Sequence, residues 1–129
     1  MENTKKILVV EDDNFLGELL LGYLNKNGNR AILSRDAETA LKMIHQERPL
    51  IVILDLLLPK MGGLELLETL KNESITPSLP VIILSNLSDK EDMEKAISLG
   101  VRDFLVKANF DLKEISNKVQ HTIDLECTP

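Results

Sequence analysis

The sequence is poor in the residues that several large classes of function require. It has one cysteine, Cys127, close to the end, so no disulfide can close within the chain and a reducing, cytoplasmic setting is expected. Tryptophan is absent, and Phe15, Tyr23, Phe104 and Phe110 are too few and scattered to form a base-stacking platform. Basic residues are outnumbered, 15 Lys and Arg against 21 Asp and Glu, for a formal charge of −6. The concentrated basic face of a nucleic-acid binder is therefore not expected. Apolar runs stay far below the roughly 18 residues of a membrane span; the longest is Leu50 to Leu54. Lys5 and Lys6 precede Ile7 to Val10, but that stretch is too short for a secretory signal. Direct contact with nucleic acid or membrane is not expected.

What the chain does have is core-forming material, 43% apolar residues in 129, enough for one domain. Four short apolar runs stand out: Ile7 to Val10, Leu50 to Leu54, Val81 to Leu84 and Phe104 to Val106. They are rich in β-branched residues and do not alternate with polar ones, the pattern of strands covered on both faces. A more polar fifth run, Arg30 to Ser34, reads as an edge strand. Between the runs lie stripes at helical spacing. Phe15, Leu16, Leu19, Leu20, Tyr23 and Leu24 form the first, and Ala37, Ala40, Leu41 and Ile44 the second. Leu64, Leu67 and Leu70 form the third, and Met93, Ala96 and Ile97 the fourth. Leu112, Ile115, Val119 and Ile123 complete the set. Ser88 to Glu91 and Asp111 to Glu114 have the spacing of capping boxes. Strand followed by helix, five times over, predicts a three-layer α/β sandwich with right-handed crossovers. Residues 1–126 are expected to form the domain and 127–129 a tail.

Polar residues interrupt the apolar runs at corresponding places. Ile7 to Val10 ends in Glu11, Asp12 and Asp13, Leu50 to Leu54 in Asp55, Val81 to Leu84 in Ser85 and Phe104 to Val106 in Lys107. Parallel strands put all of these at one carboxyl edge, where open α/β sheets hold ligands. Glu11, Asp12 and Asp55 would repel one another if ionised in a half-dry crevice, and a hard divalent cation relieves that repulsion. Carboxylates with coordination positions left for water suit Mg²⁺. Beside such an ion a carboxylate becomes a feasible nucleophile toward phosphorus, with Lys107 and Ser85 available to the phosphoryl oxygens.

These residues resemble a known family. Val9-Val10-Glu11-Asp12-Asp13, Ile53-Leu54-Asp55 with Pro59 and Gly63, Ile83-Leu84-Ser85 and Phe104-Leu105-Val106-Lys107 are similar to the motifs of bacterial two-component response-regulator receiver domains, over about residues 5 to 125. The resemblance implies a flavodoxin-like (βα)5 fold with sheet order 2-1-3-4-5. It implies that Asp55 is phosphorylated by a sensor histidine kinase or a histidine phosphotransfer protein. Glu11, Asp12 and Asp55 would hold Mg²⁺ with the carbonyl of Leu57, Asp12 the closer ligand and Glu11 acting mainly through water. Ser85 and Phe104 would be the switch pair, and Lys107 the phosphate-binding lysine. The surface of the fourth helix, fifth strand and fifth helix would then engage a downstream protein or a second copy of the domain. Such a module assists its own phosphorylation and dephosphorylation but is not otherwise an enzyme. Whether it stands alone or heads a longer chain is left open.

Each residue also has a plainer reading. Asp13 is expected simply to begin the first helix, where its charge suits the dipole. Asp55 and Ser85 alone could be turn residues, Lys107 a solvated end-of-strand charge, and Phe104 ordinary core. His45 and His121 read as solvated helix residues, and Cys127 as an inert tail thiol. Four positions depart from the family pattern. Ala108 stands where proline, joined through a cis bond, is usual, so either a trans bond with a reshaped loop or a strained cis bond is expected. Asn86 stands where a small residue is usual. Leu57 and Leu87 occupy positions that flank the path of attacking water, which implies slow loss of the phosphate. Rival readings are a degenerate receiver acting only as an interaction module, and a haloacid-dehalogenase-type phosphatase. The second lacks its usual acid at the position of Leu57. A nucleotide or flavin domain is disfavoured because no glycine-rich loop follows the first strand.

Overall fold

The computed structural model describes residues 5–58, 61–75, 78–86, 90–109 and 111–126. Five strands alternate with five helices: β1 (Lys5–Val10), α1 (Asn14–Lys26), β2 (Asn29–Ser34), α2 (Ala37–Glu47), β3 (Ile51–Leu54), α3 (Gly63–Asn72), β4 (Val81–Ser85), α4 (Lys90–Ser98), β5 (Asp103–Val106) and α5 (Leu112–Glu126). All strand pairings are parallel and the sheet order is β2-β1-β3-β4-β5, the flavodoxin-like arrangement expected.

The unbroken apolar strands have a direct cause. Successive residues point to opposite faces, and both faces are covered. Leu8, Val10, Val52, Leu54, Val81 and Ile83 face one core, closed by Ala37, Ala40 and Ile44 of α2, Leu66, Leu67 and Leu70 of α3, and Ala96 of α4. Ile7, Val9, Ile51, Ile53, Ile82 and Leu84 face the other, closed by Leu20 and Leu24 of α1 and Ile115, Val119 and Ile123 of α5. The strand at each sheet margin, β2 or β5, is the less apolar kind, and Val106 at the end of β5 is 45% exposed.

Two helices seat differently from the stripes read in the sequence. On α1 the buried residues are Gly17, Leu20 and Leu24, whereas Phe15 is 78% exposed and Leu19 also faces outward. The cause is Gly17, which lies so close to the sheet that a Cβ there would meet the Leu33 side chain at 3.1 Å. That approach turns the helix so that only part of its wide apolar face is covered. On α4, Ala96 is buried but Ile97 is 60% exposed.

Helix ends follow local chemistry. Asp13 caps α1 by accepting from the Leu16 amide at 3.1 Å, the plainer of its two readings. Asp36 does the same for α2 through Thr39, and Asp111 for α5 through Lys113 and Glu114. Ser88 and Asp89 of the other expected capping box, like Pro59, Leu87, Phe110 and Cys127, lie outside the described residues. His121 is exposed as expected. His45 is also on the surface, but it is not merely solvated: its Nε2 lies 2.8 Å from Glu73 Oε1, joining the ends of α2 and α3. Among the described residues no helix is long and apolar enough to cross a membrane.

Candidate functional site

Strand register brings the polar strand ends together. Val10 of β1 pairs with Leu54 of β3, and the Asp55 amide donates to the Val10 carbonyl at 3.0 Å, so Glu11 and Asp55 emerge side by side. Ser85 of β4 pairs with Val106 of β5, which places Lys107 on the far side of Ser85. The sheet thus converts four remote sequence positions into one crevice at its carboxyl edge.

Asp55 is the centre of that crevice. Its Oδ1 accepts from the Ser85 hydroxyl at 3.0 Å and from the Leu57 amide at 3.0 Å. Its Oδ2 accepts from Lys107 Nζ at 2.7 Å. The same ammonium reaches Glu11, at 2.9 Å from Oε1 and 3.0 Å from Oε2. Glu11 also accepts from the Asp13 amide at 3.1 Å. Glu11, Asp55 and Ser85 are buried, Lys107 is partly so, and Asp12 stands at the exposed mouth. One carboxylate oxygen from each of Glu11, Asp12 and Asp55 lies within 4.8 Å of the others.

Electrostatics follow from this packing. Burial pushes the Glu11 carboxyl above its ordinary value; the Lys107 and Asp13 hydrogen bonds oppose the shift, and the charge of Asp55 adds to it. For Lys107 burial acts to lower the pKa, but the hydrogen bonds to Asp55 and Glu11 outweigh it and hold the ammonium above the usual lysine range. Lys107 therefore stays cationic at neutral pH. One positive charge serves two buried acids, and a third acid waits at the mouth.

The remaining expected residues sit around this centre. Phe104 pairs with Ile83 across β4 and β5 and packs, half-buried, against the core under α2, α3 and α4. Leu57 follows Asp55 in the β3–α3 loop with its side chain 59% exposed. Asn86 is exposed just beyond Ser85. Among the described residues all peptide bonds are trans, including Lys107–Ala108, which opens a 3₁₀ turn over Lys107–Asn109. The trans alternative is the one adopted, in keeping with the roughly 2.5–4 kcal/mol that a cis bond costs before a residue other than proline.

Two contributions were not foreseen from the residues. The Leu57 amide as a donor to Asp55 is a property of the loop path and leaves no trace in residue type. Gly63 stands out in the sequence only as part of a motif. A Cβ on it would lie 2.6 Å from the Leu56 Cα and 2.8 Å from the Asp55 carbonyl oxygen, and its own amide donates to the Leu56 carbonyl at 3.1 Å. Helix α3 can abut the loop that holds Asp55 only because Gly63 has no side chain. Gly63→Ala is expected to lower stability by about 1–3 kcal/mol in urea titration, the usual range for overpacking, and to move the Asp55 and Leu57 amide resonances. An unchanged midpoint and spectrum would contradict this account of the loop.

Comparison with known proteins agrees with the geometry. Residues 7–120 match the family model of the response regulator receiver domain. The probable transcriptional regulator ycf27 of Guillardia theta is 32% identical over 93% of this chain and 46% of its own. The phosphate regulon transcriptional regulatory protein PhoB of Escherichia coli is 29% identical over 90% of this chain and 50% of its own. The chain thus spans about half the length of these curated relatives. A response regulator receiver protein from Pseudomonas putida superimposes with a TM-score of 0.86 at 30% identity, over 94% of this chain and 99% of that one. A CheY-like receiver from Methanospirillum hungatei shares the fold with a TM-score of 0.89 at 23% identity, over 96% and 97%. With parallel strands in the order 2-1-3-4-5, an acidic crevice at their carboxyl edge and a family match across most of its length, this chain belongs to the response-regulator receiver domains of two-component systems.

Proposed function

We propose that Asp55 accepts a phosphoryl group from a phosphohistidine on a sensor kinase or phosphotransfer protein, and that this changes the surface formed by α4, β5 and α5. The observation that carries the reading is the environment of one carboxylate. Asp55 meets an ammonium at 2.7 Å, a hydroxyl at 3.0 Å, and two further acids whose oxygens lie within 4.8 Å. Receiver domains as a family are phosphorylated on aspartate and bind Mg²⁺ at an acidic pocket, and they act as signalling modules rather than as ordinary enzymes.

The donor set suits Mg²⁺: three carboxylates supply hard oxygen ligands, and Asp12 is open to water. Glu11, Asp12, Asp55 and the Leu57 carbonyl would hold the ion, which when bound offsets the charge of the phosphoryl oxygens. The chain's own groups account for the rest. An Asp55 oxygen attacks phosphorus, the bond from phosphorus to the donor's imidazole nitrogen breaks, and the imidazole leaves with the bonding pair. Lys107 exchanges its contact with Asp55 Oδ2 for a phosphoryl oxygen. Ser85 Oγ, now committed to Asp55 Oδ1, turns to another. The space this vacates lets Phe104 move inward, which biases two packings of α4, β5 and α5. Exposed Ile97 and Val106 on those elements supply apolar contact area for a downstream protein or a second copy.

The test is incubation with Mg²⁺ and a small acyl phosphate, followed by mass spectrometry. One phosphate per chain is expected, none without the metal and none in Asp55→Asn. Phosphorylation that survives Asp55→Asn would overturn the assignment.

Phosphate lifetime is a separate property of the same site. At the two positions that flank the path of attacking water in the family this chain has Leu57 and Leu87, and neither side chain can orient water. The aspartyl phosphate is therefore expected to be long-lived for the family. Leu57→Asn combined with Leu87→Glu should speed dephosphorylation several-fold; an unchanged rate would refute the role of the leucines.

A further inference from the structure

Away from the carboxyl edge, one concavity belongs neither to the phosphoacceptor crevice nor to the α4-β5-α5 face. It is a cleft of about 370 Å³ at the amino end of the sheet, between the final turns of α2 and α3. Small-ligand sites typically occupy roughly 300–1,000 Å³ and are mostly apolar, with a few polar groups that fix orientation. This cleft has that composition. Ile44, Pro49 and Leu79 are buried walls, Ile75 is half-buried, and among the described residues the ionisable groups in the lining are His45 and Arg48.

The two basic residues are held differently. His45 Nε2 lies 2.8 Å from Glu73 Oε1, so that carboxylate is already engaged at the edge of the cleft. Arg48 ends α2 in the left-handed conformation, φ 49 and ψ 61, a place usually taken by glycine or asparagine. Its guanidinium forms no ion pair or side-chain hydrogen bond among the described residues. An exposed fork of donors at the mouth of an apolar cleft suits a bidentate anionic head group, and a carboxylate is the smallest of these. A cationic ligand would face two basic residues with no acid among the described lining residues, and a neutral one would leave the guanidinium unmatched.

We propose that this cleft binds a small amphipathic carboxylate, its apolar body against Ile44, Pro49, Ile75 and Leu79 and its anionic head on Arg48. The site stands apart from the phosphoryl-transfer reading, since Pro49 and Pro80 lead into the amino ends of β3 and β4 while Asp55 and Ser85 lie at their other ends. Either reading can fail without the other.

The experiment is titration of the whole ¹⁵N-labelled chain, without phosphodonor, with 4-phenylbutyrate and separately with 4-phenylbutanol. Saturable shifts confined to the amides of residues 44–48, Ile75 and Leu79 are expected for the acid. Affinity should be at least about fivefold weaker for the alcohol, and for the acid on Arg48→Asn, because each removes one side of a charge-assisted contact. Asparagine tolerates the left-handed backbone, so the variant keeps the fold. Shifts that do not saturate or that scatter over the surface would overturn the proposal. So would equal affinity for acid and alcohol, or an unchanged affinity in Arg48→Asn.

Discussion

A single ammonium shared between two buried carboxylates is the interaction on which the rest of the site depends. Glu11 and Asp55 are only 3% and 4% exposed, and like charges so placed are costly unless a cation stands between them. Lys107 does so, at 2.7 Å from one and 2.9 Å from the other. Among the described residues it leaves the third acid, Asp12, unmatched at the mouth, so the crevice retains room for more positive charge. A metal ion and a phosphoryl group, one positive and one negative, are complementary additions to this set.

The fold makes that arrangement possible because its sheet has no free face. With α1 and α5 on one side and α2, α3 and α4 on the other, ligand-directed chemistry is confined to the sheet edges. At the carboxyl edge the four contributing strand ends are far apart in sequence, and Lys107 and Glu11 are separated by 96 residues. Loop geometry then refines what the strands deliver. Gly63 allows α3 to close on the loop behind Asp55, and the Leu57 amide completes the hydrogen bonding of its carboxylate.

Much of this was legible in the residues because strands buried on both faces leave an unambiguous mark. Ile7 to Val10 and Val81 to Leu84 cannot be half-exposed strands, and the polar residues that end such runs must share an edge. Helix orientation was harder to read. The α1 stripe includes Phe15 and Leu19, which hydrophobicity assigns to the core, yet Gly17 decides which face meets the sheet. Side-chain pairing was harder still. Nothing in the sequence says that His45 finds Glu73, that Lys107 serves Glu11 as well as Asp55, or that the Leu57 amide rather than its side chain meets the acid. Those contacts depend on loop paths and on rotamers, which local residue type does not encode. Ala108 is intermediate: without proline the trans bond is favoured, but the 3₁₀ turn that follows is a tertiary outcome.

The central claim is that Glu11, Asp12 and Asp55 converge on one cation-binding point, with Ser85 and Lys107 against the same Asp55 carboxylate. Paramagnetic line broadening by substoichiometric Mn²⁺, used in place of Mg²⁺, tests it most directly. The account predicts broadening centred on the amides of residues 11–13, 55–57 and 85–86, displaced by excess Mg²⁺ and lost in Asp12→Asn. Broadening spread over the exposed acids of α4 and α5, with the carboxyl edge untouched, would contradict it.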